Sequence, residues 1–343
     1  MFIIKNKKFI FNLVIFIVCI AAIFFVVNKI NSFRKRDTVK IGVSLYVEND
    51  TFIDDIVSSI QQTAKEYENE TGKTVILNIS FAGGSQRTQN QQIKKYMDLN
   101  YDAVCVNLVE RTNASYIISE AINNNVPVVF FNREPVKEDI MRGENIYYVG
   151  SDARLSAVLQ GEAIVESCNK YKDVLDKNGD GVFQYVLLEG EVGHQDTILR
   201  SEYSVQTVTD AGIELEKLSS GTADWVKVRA EGLMEQWIKN YGDKIELVIA
   251  NNDDMAVGTA AALSAAEIEA AVFGIDGTEV GIDAVERGFI FSTVDCNGKK
   301  QGEAIAKIAI GLCMDGKIPD DVEATDDRYV RVPINKIVGQ SAN

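Results

Sequence analysis

The sequence predicts an α/β protein of two lobes, each a parallel sheet flanked by helices, preceded by one transmembrane helix. Three observations predict this architecture. Strand-like and helical segments alternate from Thr38, the alternation begins again after residue 152, and a long apolar segment lies near the amino end. Alternating β and α units build parallel sheets through right-handed crossovers. The 343 residues are also too many for one simple core.

The first 36 residues are predicted to form a signal-anchor segment with basic flanks. Residues 9–27 are apolar except for Asn12, and a spanning helix needs about 20 such residues. No cleavage site of the A-x-A type follows, and Cys19 lacks the preceding small residues of a lipidated cysteine. We therefore expect an uncleaved membrane helix, with a cleaved signal peptide as the alternative. The lysines before the span favour an extracytoplasmic main domain.

The charge of the chain is unevenly distributed. Seven of its 35 basic residues lie in the first 36 positions, so the remainder carries 28 basic against 50 acidic residues, a formal charge of −22. Such a surface repels the phosphate backbone of nucleic acids. We therefore expect the main domain to bind no nucleic acid, whereas its charge suits a bound cation.

The elements of the first lobe follow from hydrophobic periodicity. Strands are predicted at 38–46, 74–80, 101–108, 126–131 and 146–150, and helices at 52–68, 89–99 and 115–125. The second lobe opens with a helix at 153–170. Its strands are predicted at 184–190, 213–218, 244–252, 271–276 and 289–295, with helices at 196–211, 226–240, 254–266 and 279–287.

A candidate calcium loop precedes the strand at 184–190. Oxygen-bearing groups recur at alternate positions, in Asp176, Asn178, Asp180, the carbonyl of Val182 and Gln184, with Gly181 at the sixth place. This is the first part of an EF-hand loop. The twelfth place is Leu187 instead of Glu, so a missing carboxylate must come from elsewhere. An ordinary solvated turn is the competing interpretation, and Mg²⁺ fits such a loop less well.

Polar and aromatic residues collect at the carboxyl ends of the predicted strands, where open parallel sheets bind ligands. These residues are Tyr46, Asp50, Phe52, Asn132, His194, Asp196, Arg200, Trp225, Asn251, Asn252, Asp253 and Asp276. Amides, carboxylates and an arginine offer paired hydrogen bonds to neighbouring hydroxyls, and the aromatic rings offer flat faces. Together they predict a monosaccharide site.

Each of these residues also has a plain structural interpretation. Asp196 and Arg200 are four residues apart and could form a surface ion pair on a helix. Asp253 could cap its helix, and Trp225 could simply pack. An enzyme acting on sugars is the competing function, with Asp50, Asp196 and Asp276 as candidate acids and bases. No serine or cysteine motif accompanies His194, the sole histidine.

Several motifs resemble those of the type I periplasmic binding-protein family, and within it the galactose/glucose-binding members that serve sugar uptake and chemotaxis. The similar stretches are IGVSLY, NVPVVFFNREP, YYVGSD, D-x-N-x-DG, GEVGHQD, IANNDDMA and VFGID. They extend from Ile41 to about residue 333, nearly the whole main domain. The resemblance implies a two-lobed clamp in which residues 37–150 plus 296–331 form one lobe. Residues 151–295 plus 332–343 form the other, which carries the calcium loop, and three crossings join them.

The resemblance also implies a hexose held between Phe52 and Trp225, with Tyr46 beside it. Its hydroxyls would be bonded by Asp50, Asn132, His194, Asp196, Arg200, Asn252 and Asp276. Glu246 corresponds to the family's bidentate calcium ligand. The family places an Asn on the sugar where this chain has Cys296, and a thiol cannot replace both functions of an amide. Sugar preference is therefore left open between galactose, glucose and another sugar.

The function that this resemblance implies is an extracytoplasmic receptor whose lobes close on D-galactose or D-glucose. A monomeric soluble part would present the sugar to an ABC permease with its ATPase. The predicted tether suggests a second partner, a membrane histidine kinase or chemoreceptor. A sugar-responsive repressor shares the fold, but a membrane span occupies the place of its DNA-binding head.

Overall fold

The computed structural model describes residues 15, 16, 18, 20, 22, 37–325 and 327–339. The predicted anchor lies largely outside them. Of residues 9–27, the described ones are helical and exposed, namely Ile15, Phe16, Val18, Ile20 and Ala22. Within the described residues, no helix is both long and apolar enough to cross a membrane.

The first lobe is built on a sheet of six parallel strands in the described part of the chain. Its elements in order are β1 (Thr38–Leu45), α1 (Thr51–Thr71), β2 (Thr74–Phe81), α2 (Gln86–Asp98), β3 (Ala103–Val106), α3 (Ser115–Asn124), β4 (Val128–Phe131), α4 (Lys137–Ile140) and β5 (Ile146–Gly150). The strand order is β2-β1-β3-β4-β5-β11, where β11 (Tyr329–Arg331) returns from near the carboxyl end. Helices cover both faces, so β3 and β4 are fully buried.

The second lobe repeats this arrangement. Its elements are α5 (Ala153–Lys170), α6 (Lys172–Leu175), β6 (Val182–Glu189), α7 (Gln195–Asp210), β7 (Glu214–Thr222), α8 (Lys227–Tyr241), β8 (Leu247–Ala250), α9 (Asp253–Ala265), β9 (Ala271–Phe273), α10 (Glu279–Glu286), β10 (Ser292–Asp295) and the late β12 (Asn335–Val338). Its strand order, β7-β6-β8-β9-β10-β12, matches that of the first sheet. The two-lobed α/β architecture predicted from the sequence is thereby confirmed.

The prediction of wholly parallel sheets is wrong for one strand, because β12 pairs antiparallel with β10. Its first residue, Asn335, pairs with Asp295, the last residue of β10. The chain therefore enters the second sheet at the carboxyl ends of its strands and must run back along β10. β11 instead runs toward the crossing and pairs parallel with β5.

A helix that the sequence reasoning missed, α11 (Gly298–Met314), follows β10 and packs against α1 of the first lobe. Most of its residues are buried. The two helices approach closely at Gly302, where a Cβ atom would lie 2.3 Å from the carbonyl oxygen of Ile56. The chain thus crosses between the lobes after β5, after β10 and after β11.

Candidate functional site

One cavity between the lobes is lined from both sides by residues that follow the carboxyl ends of strands. Its lining consists of Tyr46, Asp50, Phe52, Asn132, Arg133, His194, Asp196, Arg200, Trp225, Asn252 and Asp276. The space free of protein atoms is about 340 Å³, including the part that opens to solvent. Carboxylates, amides, an imidazole and aromatic rings therefore converge on one crevice, as ligand sites of this kind require.

The first-lobe wall is organised around Asp50. Its Oδ1 caps α1 by accepting a hydrogen bond of 3.1 Å from the backbone N–H of Ile53, and its Oδ2 accepts one of 2.5 Å from the hydroxyl of Tyr46. Burial, together with the nearby Asp50, raises the pKa of Tyr46, so this phenol remains a donor at physiological pH. The carboxylate is thereby held in one orientation at the edge of the cavity.

Asn132 follows β4 in a left-handed backbone conformation, with φ 58°, which asparagine tolerates better than most residues. Its side-chain oxygen accepts a hydrogen bond of 3.1 Å from Asn107. Its backbone carbonyl accepts one of 2.8 Å from the hydroxyl of Tyr148. Asn107 and Tyr148 thus position Asn132, a role for which the sequence carried no local signal.

The second-lobe wall contains a buried group of charges centred on Arg200. The guanidinium lies 3.0 Å from Asp196 and 3.0 Å from Asp276, and it donates a hydrogen bond of 2.8 Å to the carbonyl of Asn251. Arg200 is only 3% exposed, so the Asp196–Arg200 pair is not the solvated surface pair that was the competing interpretation. Burial raises the pKa of Asp276, while Arg200 opposes that shift. The arrangement fixes two carboxylates beside one fork of donors.

His194 immediately precedes α7 and caps it through its side chain. Its Nδ1 accepts a hydrogen bond of 3.0 Å from the backbone N–H of Asp196, so the ring proton of the neutral form resides on Nε2. Burial lowers the pKa of His194 to about 4, although Asp196 opposes that shift. The imidazole is therefore a neutral donor at the cavity under physiological conditions.

Two aromatic side chains line the cavity from opposite lobes. Phe52 lies in the first turn of α1, and Trp225 precedes α8 with a left-handed φ of 68°. The indole meets His194 edge to face at 5.2 Å between ring centroids. It also lies so close to Gly190 that a Cβ atom there would be 2.1 Å from the ring. A side chain at position 190 would therefore displace Trp225.

Asn252 is the residue that caps α9, by accepting a hydrogen bond of 3.0 Å from Met255 N–H, and its amide also donates to the carbonyl of Trp225. Asp253, expected from the sequence to be a possible cap, is fully buried instead. Its carboxylate accepts from Thr278 N–H at 2.9 Å and from the Thr293 hydroxyl at 2.5 Å. It thereby ties α9 to the segment that follows Asp276.

Ten of the residues that the sequence predicted for a sugar site line this cavity, whereas the strand-end candidates Asn251 and Asp253 do not. Cys296 also lies outside the lining. It is buried beside the cavity, with its sulfur 4.0 Å from Arg200 Nη2. Arg133 lines the cavity but was not predicted, although it directly follows Asn132 in the sequence. A basic residue at the end of a buried strand was the available signal.

The predicted calcium loop forms a second polar site, before β6. Asp176 Oδ2 and Asp180 Oδ1 accept backbone N–H groups of the loop, and the amides of Asn178 and Gln184 lie within hydrogen-bond distance of Asp180 Oδ2. Asp176 Oδ1 is buried and has no hydrogen-bond partner among the described residues.

Glu246, just before β8, faces the same loop from a position only 1% exposed. Its two oxygens accept from the backbone N–H groups of Lys177 and Gln184, at 2.7 and 2.9 Å. Burial raises the pKa of Glu246. In the described residues no cluster of three or more His, Cys, Asp or Glu side chains has metal-binding geometry, so a cation here would also need amide and carbonyl oxygens. Calcium accepts such ligands, and the buried Asp176 Oδ1, which has no hydrogen-bond donor among the described residues, is suited to bind a cation.

The chain is similar to known proteins over most of its length. Residues 41–318 match the family model described as periplasmic binding protein domain. A D-galactose/methyl-galactoside binding periplasmic protein of Haemophilus influenzae is 32% identical over 296 residues, which cover 86% of this chain and 88% of that protein. A ribose import binding protein of Escherichia coli is 24% identical, with coverage of 84% and 90%.

Solved structures show the same architecture. An ABC transporter solute-binding protein from Bacillus halodurans with bound myo-inositol matches with a TM-score of 0.72 and 25% identity. The match covers 88% of this chain and 94% of that one.

Proposed function

This chain belongs to the periplasmic binding protein domain family, which consists of extracytoplasmic substrate-binding proteins and not of enzymes, and we propose that its ligand is D-galactose or D-glucose. Members of this family work with ABC transporters as sugar-binding receptors. This family membership excludes the competing interpretation as a sugar-processing enzyme. The relatives differ in the ligand that their names or titles state, namely a galactoside, ribose or myo-inositol, so the proposal of a hexose rests on the site.

The observation that carries this proposal is the chemistry of the cavity lining. Asp50 on one lobe faces a cavity whose other wall holds Arg200 with Asp196 and Asp276. Carboxylates that accept from a hydroxyl, beside a guanidinium that donates to it, suit neighbouring hydroxyls of a pyranose. By its resemblance to the galactose/glucose-binding members, Asp50 would reach the 4-hydroxyl, and a carboxylate there can accept from either epimer. Phe52 and Trp225 supply apolar faces for the ring.

The mechanism is closure of the two lobes around the sugar. A ligand that contacts both lobes binds the closed form more tightly and shifts the equilibrium toward it. His194 Nε2–H and the amides of Asn132 and Asn252 would form hydrogen bonds with the sugar hydroxyls. Phe52 and Trp225 would exclude water from the two faces of the sugar ring. The closed form is what an ABC permease with its ATPase would recognise.

A membrane-tethered sensor is the second candidate. The apolar segment at 9–27 favours it, because a tethered receptor can contact a membrane histidine kinase or chemoreceptor continuously. Purification of the tagged full chain from native membranes separates the two outcomes. Recovery of a permease without a kinase supports transport, and recovery of a kinase without a permease supports sensing.

We also propose that the loop at 176–184 binds structural Ca²⁺. Asp176, Asn178, Asp180, the carbonyl of Val182 and Gln184 would supply oxygens from the loop, and Glu246 would supply the carboxylate that the loop lacks. Bound Ca²⁺ would neutralise these clustered carboxylates and tie β6 to β8, stabilising the second lobe.

Isothermal titration of the full chain in detergent tests the choice of sugar. We expect binding of D-galactose or D-glucose at least tenfold tighter than of ribose, xylose or myo-inositol, because fewer or misplaced hydroxyls leave buried polar groups without partners. Equal or tighter binding of ribose or myo-inositol would refute a hexose ligand. Where an acid of the cavity is replaced, as in Asp276→Asn, the matched control is Asp283→Asn on the exposed face of α10.

A further inference from the structure

One ion pair joins the two lobes beside the cavity. Arg133 follows β4 of the first lobe, and Glu191 follows β6 of the second. Arg133 Nη2 lies 2.5 Å from Glu191 Oε2, and Nη1 lies 3.4 Å from Oε1. The contact is thus two-pronged, and such paired contacts between guanidinium and carboxylate are strong and directional.

The first-lobe end of this pair is held rigidly. Arg133 is 6% exposed, and its Nη1 also donates a hydrogen bond of 2.7 Å to the carbonyl of Val109. Its guanidinium lies 4.0 Å above the ring of Tyr46, the residue whose hydroxyl holds Asp50. Arg133 therefore remains with the first lobe when the lobes separate, and it is already placed to meet a carboxylate when they close.

The second-lobe end lies outside the cavity lining but close to it in the chain. The backbone carbonyl of Glu191 accepts a hydrogen bond of 3.2 Å from His194 N–H. The Glu191 side chain is 43% exposed, so water and salt reach it. Glu191 can therefore be changed without removing a residue that faces the ligand.

We propose that the Arg133–Glu191 pair is a latch that stabilises the closed form and slows release of the ligand. The pair forms only when the two lobes meet. It therefore stabilises the closed form and should slow dissociation of the sugar, while leaving its association rate unchanged. This inference deepens the proposed function, and its kinetic form rests on that function. Because one partner is half-exposed, the expected effect is moderate, roughly fivefold in the dissociation rate.

The test is Glu191→Gln, with Glu214→Gln on the exposed edge of β7 as the control that removes the same charge from the same lobe. Stopped-flow tryptophan fluorescence of the full chain would measure the association and dissociation rates of D-galactose and D-glucose. We expect roughly fivefold faster dissociation in Glu191→Gln, an association rate within about twofold of wild type, and no change in Glu214→Gln. Unchanged dissociation, or a change confined to association, would overturn the latch.

A second variant shows whether the two residues act together. In an Arg133→Met background, Glu191→Gln should have no further effect on dissociation, since the partner is already gone. An equal effect in both backgrounds would refute the coupling. If Arg133→Met does not fold, the same coupling can be tested by screening the ion pair with salt. Raising NaCl from about 50 mM to about 1 M should bring wild-type dissociation close to that of Glu191→Gln, and a salt response equal in both proteins would refute the pair.

A sugar-free measurement keeps the latch distinct from the choice of ligand. If neither hexose binds, the proposed function fails, but hydrogen exchange of the ligand-free chain still decides the latch. We expect faster exchange in Glu191→Gln than in Glu214→Gln at 46–52 and 222–226, two cavity segments distant in sequence from position 191. Equal exchange would then refute it.

Discussion

Arg200 lies in α7 and Asp276 follows β9, yet their side chains form an ion pair of 3.0 Å that is almost completely buried. Asp196 contacts the same guanidinium from the other side. A buried charge is tolerated only when it is paired, so this group is a rigid part of the protein before any ligand arrives. Such preorganisation lowers the cost of binding a polar ligand.

Asp276→Asn should weaken hexose binding by roughly 10- to 100-fold, because a charged hydrogen-bond acceptor is replaced by a neutral amide. Arg200 loses one of its two carboxylates, so the free energy of unfolding should also fall, by about 3 kcal/mol. Titration calorimetry and urea unfolding measure the two effects. Asp283→Asn, an exposed acid of the same lobe, should change neither. Wild-type affinity in Asp276→Asn would remove this residue from the site.

Gly190→Ala should displace the Trp225 ring, because the new Cβ atom would lie 2.1 Å from it. We expect hexose affinity to fall about tenfold or more and the tryptophan emission of the free protein to change. Gly232→Ala in α8 is the control, since a Cβ atom there meets nothing within 4 Å. That variant should bind normally and be slightly more stable. Normal binding by Gly190→Ala would show that Trp225 is not needed.

His194 is the sole histidine, so its titration can be followed directly by ¹⁵N NMR. We expect the tautomer protonated on Nε2, because Nδ1 accepts from Asp196 N–H, and a pKa of about 4 caused by burial. The pKa of His194 is lower in the folded protein than in the unfolded chain, so the unfolded chain binds the proton more tightly. The contribution of the neutral imidazole to stability is therefore complete above about pH 6.5 and is lost as the pH falls through 4. A pKa near 6.5, or a proton on Nδ1, would contradict the buried neutral imidazole.

Asp253 should make stability depend on pH in the opposite direction. Burial raises the pKa of Asp253 to about 7, against hydrogen bonds from Thr293 and Thr278 that lower it. The folded protein therefore binds the proton more tightly, and this contribution is complete below about pH 4 and lost as the pH rises through 7. Relative to Asp253→Asn, the wild type should lose stability between pH 5 and 8, by on the order of 2–4 kcal/mol.

Comparison of the wild type with Asp253→Asn cancels the contribution of His194, because both proteins retain that residue. Chemical unfolding at several pH values measures the difference. A difference that does not change with pH would show that Asp253 keeps an ordinary pKa.

Removal of calcium should lower the melting temperature of the full chain, because an ion bound only to the folded state stabilises it. We expect a decrease of about 4–10 °C in chelator relative to millimolar Ca²⁺, measured by calorimetry. Glu246→Gln should show a much smaller response. Glu214→Gln, which keeps the loop intact, should respond as the wild type does. An unchanged melting temperature in chelator would contradict a structural calcium ion.

Much of the lobes' architecture was predictable because its causes are local. Hydrophobic periodicity placed the helix that begins at Ala153 and most strands within a few residues of their observed bounds. The direction of β12 and the existence of α11 were not predicted. α11 has apolar residues at helical spacing, such as Ile305, Ile308 and Leu312, so its own sequence did carry the signal of a helix. β12 is antiparallel because of where the chain re-enters the sheet, which depends on the assembled lobe.

The sequence by itself determined the alternation of strands and helices, the strand-end positions of residues such as Asp50 and Asp276, and the oxygen-rich spacing of the loop at 176–184. These features depend on neighbouring residues and on turn chemistry. Only the tertiary structure decided that Arg133 meets Glu191, 58 residues away, and that Cys296 lies behind Arg200. Such contacts depend on how the two sheets face each other, and no local sequence pattern encodes that placement.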